Sequence, residues 1–182
     1  MLLDTPLCDF GWQAPEFSLT DANGKTHAMK DYLTDKGLLI AFICNHCPYV
    51  KAIAERLSED CKILQDEGFG VLAIMSNDYE EYPADSPEKM LEFADQYDFT
   101  FPYLIDQDQS VARAYDAVCT PDFFGFNNNG ELQYRGRLDD AKMEDASNRT
   151  PELLDAMRMI AETTKGPSDQ QASMGCSIKW KT

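Results

Sequence analysis

Two uninterrupted apolar runs dominate the hydrophobic pattern of the chain, at residues 38–43 and 69–75. Runs of this length without alternation are typical of strands that a sheet buries on both faces. Between them, apolar residues recur at helical spacing over residues 48–66, on a stripe formed by Val50, Ile53, Ala54, Leu57, Cys61 and Leu64. The pattern therefore predicts a buried strand, an amphipathic helix and a second buried strand at the centre of the fold.

Shorter elements are predicted on both sides of this centre, because Asn-Gly pairs favour hairpin turns and proline at the first helical position favours a helix start. They are a hairpin over residues 17–28, a helix opening at Ser86-Pro87, a strand over 101–105, a short helix over 110–115, a hairpin over 123–134 and a last helix opening at Thr150-Pro151. Within the second helix, Met90, Leu91, Phe93 and Ala94 are expected to point inward. This order of elements indicates an α/β fold, with a mixed central sheet flanked by helices.

The chain has 182 residues, a length at which one domain is the default. We expect a single domain over residues 1–182, with a core over about residues 11–163 and a C-terminal tail over residues 164–182. Ile178 and Trp180 are large apolar residues in that tail, and they predict that the tail docks on the body of the domain. The loop over residues 76–85 and the tail have the least regular patterns.

Acidic residues outnumber basic ones, with 32 Asp and Glu against 16 Lys and Arg, and the formal net charge is -16 at pH 7. A surface this negative repels phosphate backbones and anionic lipids, which argues against nucleic-acid binding and against a membrane-surface role. The chain does not start with a basic segment followed by an apolar run, and its apolar stretches are far shorter than the ~20 residues of a membrane span. We therefore expect a cytoplasmic protein, in a compartment that keeps most thiols reduced.

The six cysteines carry the candidate chemistry, and two of them stand close together in Cys44-Asn45-His46-Cys47-Pro48. This CxxC motif lies between a buried strand and a long helix, a context typical of a redox-active thiol pair. Cys47 extends the inward-facing stripe of the helix, whereas Cys44 precedes the helix. We expect Cys44 to be the exposed attacking nucleophile, stabilised as a thiolate by the helix start and by protonated His46, and Cys47 to be the buried resolving thiol.

The sequence around the other four cysteines predicts their roles less clearly. Cys119 directly precedes Thr120-Pro121 at the start of a strand, and it is either a third thiol near the active pair or a buried small hydrophobe. An X-Pro bond in that position is a candidate for the cis form. Cys176 lies in the tail, where a resolving or regulatory thiol and a packing role both remain open. Cys61 is expected to be an inert core residue and Cys8 to be peripheral.

Five stretches in this order resemble the thioredoxin superfamily, in the branch of peroxiredoxin-like and alkyl-hydroperoxide-reductase-like proteins. They are Gly11-Trp-Gln-Ala-Pro-Glu-Phe-Ser-Leu19, Cys44-Asn-His-Cys-Pro48, Phe101-Pro-Tyr-Leu-Ile-Asp106, Cys119-Thr-Pro-Asp-Phe-Phe124 and Gly130. The resemblance implies a thioredoxin fold with an N-terminal β-hairpin and an inserted strand–helix unit over about residues 76–105. It also implies that Pro121 is a cis-proline facing the CxxC pair, and that Thr120 and Pro121 flank the groove of a substrate chain. Asn45 is assigned to the same groove and, with His46, to tuning the redox poise.

The motif and the resemblance together predict a thiol–disulfide oxidoreductase, in which Cys44 attacks a target disulfide and Cys47 resolves the mixed disulfide. Protein or small-molecule disulfides are the expected substrates, a reductase or another thiol protein is the expected electron donor, and no bound cofactor is expected. Thioredoxins carry a buried acid on the strand before the motif, but residues 38–43 contain none. We therefore expect His46, Lys51 or water to relay the proton.

A thiol-dependent peroxidase centred on Cys47, with peroxides as substrates, is the main alternative. In peroxiredoxins a Pro-x-x-x-Thr-x-x-Cys segment holds the reactive cysteine, and the positions of its Pro and Thr are here Ile40 and Cys44. Both signature residues are therefore missing. Three arginines remain candidates to reach the site: Arg113, Arg135 and Arg137.

Soft-metal binding is an alternative of a different class, with Cys44, Cys47 and either His46 or Cys119 as ligands. A structural zinc site would normally need a second cysteine pair at similar spacing, and the chain has none. We therefore expect no metal.

Overall fold

The computed structural model describes residues 1–182, which form ten strands and four α-helices. The strands are β1 (Leu2–Asp4), β2 (Ser18–Asp21), β3 (Thr26–Ala28), β4 (Leu38–Phe42), β5 (Gly70–Met75), β6 (Tyr103–Ile105), β7 (Cys119–Thr120), β8 (Asp122–Phe126), β9 (Leu132–Gly136) and β10 (Met174–Ser177). The helices are α1 (Pro48–Asp66), α2 (Pro87–Gln96), α3 (Ser110–Ala114) and α4 (Glu152–Thr163). Single turns of 3-10 helix occur at Met29–Asp31 and Pro83–Asp85.

Seven strands form one mixed sheet, in the order β3-β2-β6-β5-β4-β8-β9. The three inner strands β6, β5 and β4 are parallel, and every other pair in the sheet is antiparallel. Ile40 at the middle of β4 pairs with Leu72 on one side and with Phe124 on the other. The sheet confirms the predicted α/β fold of thioredoxin type, and both predicted hairpins are present as β2–β3 and β8–β9.

The two apolar runs are buried along their whole length as β4 and β5. Alternate side chains of β4 face opposite sides of the sheet. Leu39 and Ala41 pack in a core with α1, α2 and α4, whereas Leu38, Ile40 and Phe42 pack in a second core with α3. The end of β4 is therefore held from both faces, and this fixes the point where the CxxC motif begins.

The helix that follows the motif spans the predicted residues, and all six residues of its predicted stripe are buried. α2 begins at the predicted position, where the Ser86 hydroxyl oxygen accepts the backbone N–H of Lys89 at 3.3 Å. Its stripe is narrower than predicted: Met90 and Phe93 are buried, but Leu91 is 43% exposed because it lies on the outer side of the helix. None of the four helices has the length and apolarity needed to cross a bilayer.

A second, three-stranded sheet in the order β1-β10-β7 was absent from the sequence prediction. It joins the two ends of the chain, since Leu2 pairs with Cys176, and Cys176 pairs in turn with Thr120. Gly175 permits this close approach, because a Cβ atom there would lie 1.7 Å from the carbonyl oxygen of Thr120. Beyond β10 the tail continues along the body, where Ile178 is buried in the second core.

Candidate active site

The CxxC motif lies at the junction of β4 and α1, opposite the start of β8. Cys47 is the N-cap of α1, and Pro48 occupies the first helical position, where its missing N–H costs nothing. Cys44 Sγ is 3.5 Å from Oγ1 of Thr120, and Cys47 Sγ is 3.4 Å from the Thr120 carbonyl oxygen. The Thr120–Pro121 peptide bond is cis. The structure thus brings together the two thiols and the Thr-Pro segment that the sequence had placed 73 residues further along the chain.

Both cysteines of the motif are buried free thiols, with Cys44 1% exposed and Cys47 fully inaccessible. The prediction that Cys44 is the exposed member of the pair is therefore wrong. Two segments that carried no clear sequence pattern pack beside the motif: the turn at Pro83–Asp85, which binds Asn45, and β10, which pairs with Thr120. The sequence next to Cys44 could not reveal its burial, because those segments come from distant parts of the chain.

A buried acid at the site was missed by the sequence analysis. Asp85 is fully inaccessible, and its Oδ1 accepts the backbone N–H of Asn45 at 2.7 Å. Its Oδ2 accepts an N–H of Asn77 at 2.9 Å and lies 2.6 Å from Nδ1 of His46. Burial alone raises the pKa of a carboxyl group, but the contacts with His46, Asn77 and Asn45 outweigh it and hold the pKa of Asp85 below its usual range. Lys51, proposed as a proton relay, is exposed on α1.

Asp85 has no signal in the sequence beyond being an acid near the end of an irregular loop. It could have been noticed only as the residue just before the Ser86-Pro87 helix start, which fixes its position.

Asn45 points into the protein and not along a groove, contrary to the prediction. It is 6% exposed, its Oδ1 accepts the hydroxyl of buried Tyr103 at 2.8 Å, and its Nδ2 donates to the carbonyl of Ala84 at 3.2 Å. Asn45 therefore ties the CxxC loop to the segment that carries Asp85. Thr120, the other predicted groove residue, is covered by β10.

The two thiols have opposite pKa shifts. Cys47 receives a hydrogen bond from the Cys44 thiol, which outweighs burial; the backbone N–H groups of Cys176 and Val50 add to it, and the pKa of Cys47 falls to about 4. The pKa of Cys44 rises well above its usual value, because its thiol proton is held by Cys47, because it is buried, and because the Asp85 carboxylate is close. The Thr120 carbonyl oxygen accepts a hydrogen bond only from the protonated Cys47 thiol, and so it disfavours the thiolate. The donors that favour the thiolate are more numerous. The contacts of Cys47 with Cys44, Cys176 and Val50 therefore favour a thiolate at Cys47, and the thiolate expected at Cys44 stays a prediction.

His46 is the partly exposed member of the motif, with 30% of its side chain accessible. Its ring stacks on Tyr82 at 6.1 Å between centroids. Nδ1 makes no aligned hydrogen bond, so its attraction to Asp85 is that of an ion pair once the ring is protonated. The Asp85 carboxylate raises the pKa of His46 above 6.5 although burial opposes it. The protonated His46 ring therefore interacts mainly with the Asp85 carboxylate.

The other four cysteines differ in burial, and Cys176 and Cys119 both lie close enough to the pair to interact with Cys47. Cys176 on β10 is partly exposed, and its backbone N–H and thiol contact Cys47. Cys119 is buried in β7, and burial, followed by the nearby Asp122, raises its pKa to about 12. Cys61 is fully buried in the core, as predicted, and burial raises its pKa. Burial and then Asp9 raise the pKa of Cys8 to about 11.

The three arginines considered for a peroxidase site are engaged elsewhere. Arg113 lies 4.4 Å from the ring centroid of Trp180, Arg135 pairs with buried Asp122 at 2.8 Å, and Arg137 pairs with Glu152 at 2.6 Å. The structure therefore gives none of them a contact with the thiol pair.

The metal-ligand set considered from sequence also differs in the structure. Cys44, His46 and Asp85 place their ligand-type atoms within 4.8 Å of one another, so an acid replaces Cys47 and Cys119 in the closest group. All three residues already make the contacts described above. The expectation of no metal stays a prediction.

Comparisons with known proteins match the chain over most of its length. A sequence profile described as the AhpC/TSA family matches residues 10–135. The thiol-disulfide oxidoreductase ResA of Geobacillus kaustophilus is 32% identical over 123 residues, which are 68% of this chain and 66% of the relative, slightly less than two thirds of its length. A crystal structure of an uncharacterized conserved protein from the same organism is 40% identical, covers 100% of this chain and 97% of its own, and has a TM-score of 0.94. A secreted Mycobacterium tuberculosis disulfide oxidoreductase, 20% identical, shares the fold with a TM-score of 0.55 over 64% of this chain and 80% of its own.

Proposed function

Because the chain belongs to the AhpC/TSA family, we propose that it is a thiol–disulfide oxidoreductase that cycles the pair Cys44 and Cys47 between dithiol and disulfide. Both sulfurs of this CxxC pair contact Thr120, next to Pro121. The observation that carries the proposal is the donor set around Cys47. A thiolate is the species that attacks disulfides, and here it is stabilised at the start of a helix with a second thiol donating to it. The name of the Geobacillus kaustophilus relative supports the same reaction class.

The reaction follows from the charge distribution of the pair. When the site opens to admit a substrate disulfide, the Cys47 thiolate attacks one of its sulfurs, and the first substrate thiolate leaves with a proton from solvent. Cys44 then attacks Sγ of Cys47, the Cys44–Cys47 bond forms, and the second substrate sulfur leaves with the proton of Cys44. Two electrons pass from the two cysteines to the substrate, and a thiol donor reverses the change. Protein or small-molecule disulfides are the substrates, and a thiol or a reductase is the electron donor.

Equilibration of the full chain in glutathione buffers of graded redox ratio tests this proposal. We expect peptide mapping to recover a Cys44–Cys47 disulfide that forms and disappears reversibly, and we expect Cys44→Ser and Cys47→Ser each to abolish turnover of a peptide disulfide. Cys8→Ser removes a thiol that packs against the second core, whereas the pair lies in the first, and it serves as the matched control. Absence of the Cys44–Cys47 bond under every oxidising ratio would overturn the proposal.

Peroxide reduction is the second candidate, and the low pKa of Cys47 followed by Pro48 is the observation that favours it. The missing Pro and Thr of the peroxidase segment and the engaged arginines oppose it. Trapping of a sulfenic acid with dimedone in Cys44→Ser, beside stopped-flow rates with hydrogen peroxide and a peptide disulfide, separates the two functions. We expect the disulfide to react faster; a faster reaction with peroxide at Cys47 would favour the peroxidase.

A further inference from the structure

The C-terminal strand β10 packs beside the buried thiol pair. Cys176 of β10 is the register partner of Thr120, and Thr120 contacts both sulfurs of the pair. Cys176 packs against the core cluster that contains both Cys44 and Cys47, and it lowers the pKa of Cys47. Cys176 is partly exposed, whereas Cys44 and Cys47 are buried. The site therefore contains three neighbouring thiols, and only the third of them reaches the surface.

This placement of Cys176 is held from both ends of the strand. Before it, the Ser173 hydroxyl donates to the carbonyl oxygen of Pro121 at 2.7 Å, and Gly175 allows the close approach to Thr120. After it, the backbone N–H of Lys179 donates to Oδ1 of Asn77 at 2.8 Å, the same Asn77 that donates to Asp85. The fold thus ties the strand to both segments of the site.

We propose that Cys176 is a third redox-active residue, through which external thiols reach the buried Cys44–Cys47 disulfide. This inference rests on the proposed function. A buried disulfide needs access for a thiolate to attack it, and neither of its sulfurs has that access in the structure.

The exchange balances without an additional oxidant or reductant inside the protein. In the oxidised protein, the Cys176 thiolate attacks Sγ of Cys47; the Cys47–Cys176 bond forms, the Cys44–Cys47 bond breaks, and Cys44 leaves and takes up a proton. An external thiolate then attacks Sγ of Cys176, and Cys47 leaves as a thiolate. A second external thiol attacks the external sulfur of the mixed disulfide and restores the Cys176 thiol. The sum converts two external thiols to one disulfide and the Cys44–Cys47 disulfide to two thiols.

The charges around Cys176 favour this order of events. Burial and the neighbouring Cys47 raise the pKa of Cys176 in the reduced protein, while Lys179 and the N-terminal ammonium lower it. Oxidation of Cys47 removes its negative charge, so Cys176 ionises more easily when there is a disulfide to attack. In the later step the low pKa of Cys47 makes it a good leaving group.

Two measurements on the full chain test the proposal, each with Cys8→Ser as the control for loss of a partly exposed thiol. The first compares the rate at which reduced glutathione reduces the Cys44–Cys47 disulfide in the wild type and in Cys176→Ser. We expect the rate to fall on the order of tenfold or more in Cys176→Ser, because the accessible attacking thiol is lost. We expect the equilibrium constant between the Cys44–Cys47 disulfide and glutathione to be the same in Cys176→Ser as in the wild type. If the substitution acted only by disturbing the structure of the pair, this equilibrium constant would change as well.

The second measurement treats Cys44→Ser with oxidised glutathione and maps disulfides without reduction. We expect a Cys47–Cys176 bond. An unchanged or faster reduction rate in Cys176→Ser, or glutathione retained on Cys47 with no Cys47–Cys176 bond, would overturn the proposal while the Cys44–Cys47 disulfide still forms. Failure of the wild type to form that disulfide at all would instead overturn the proposed function and this inference with it.

Discussion

At the scale of single residues, the charge on Cys47 gives the most direct prediction. Reduced protein should contain one thiolate at pH 7, seen as absorbance at 240 nm, which disappears as the pH falls through about 4, the pKa of Cys47. Cys47→Ser should remove this transition. Cys44→Ala should move it to higher pH, because the hydrogen bond from Cys44 is the largest contribution to the low pKa and alanine has no donor. Circular dichroism at each pH controls for unfolding, and a first thiolate that titrates only near pH 9 would contradict the assignment.

Asp85 leads to a second prediction at this scale, for Asp85→Asn. The substitution should lower the pKa of His46, because the carboxylate is what raises it against burial. The ion pair of Asp85 and His46 stabilises the fold most between about pH 3.8 and 6.5. Protonation of Asp85 below that window and deprotonation of His46 above it both remove the attraction. NMR titration of the histidine rings measures the shift, and urea unfolding across pH measures the stability window. His27, the other histidine, is the internal reference, and an unshifted His46 would contradict the role given to Asp85.

The residues of the site differ in how far sequence could predict them. Cys44 and Cys47 carry a spacing and a context that are specific for redox chemistry, and the Thr120–Pro121 segment carries a motif. Asp85 carries neither, since its role depends on the loop that folds it beneath Asn45, 40 residues earlier in the chain. The order of the two pKa shifts could not be predicted either, because it depends on which sulfur the distant β10 and Asp85 approach.

At the scale of elements, β10 is held at β7 by a contact that admits only glycine, and Gly175→Ala should therefore detach it. A Cβ atom at 1.7 Å from the Thr120 carbonyl oxygen cannot be accommodated without moving backbone. We expect faster hydrogen exchange in the peptide over residues 172–182, and faster alkylation of Cys47 by iodoacetamide. Ser177→Ala on the same strand is the matched control. Equal exchange in Gly175→Ala and the wild type would contradict this account of the close approach.

The elements that were predicted correctly from sequence are those in which the pattern of apolar side chains itself indicates burial. β4, β5 and α1 contain apolar residues at the period of their structure, so their positions can be read locally. β1, β7 and β10 have two to four residues each and pair with partners as distant as Leu2 from Cys176. Strands this short have no period to detect, and their existence depends on the rest of the fold bringing them together.

At the scale of the whole molecule, the net charge of -16 predicts how disulfide substrates approach the site. A negative field attracts cationic substrates and repels anionic ones, and added salt screens both effects, with a Debye length of about 8 Å at physiological ionic strength. Lys179 near Cys176 is one local positive charge against this field. Exchange with cystamine, a cationic disulfide, should therefore slow as ionic strength rises, and exchange with oxidised glutathione, an anionic one, should become faster. Hydroxyethyl disulfide is the uncharged control, whose rate should change little. Salt dependence of the same sign for cystamine and glutathione would show that the local charge at Cys176, and not the net charge, governs the approach.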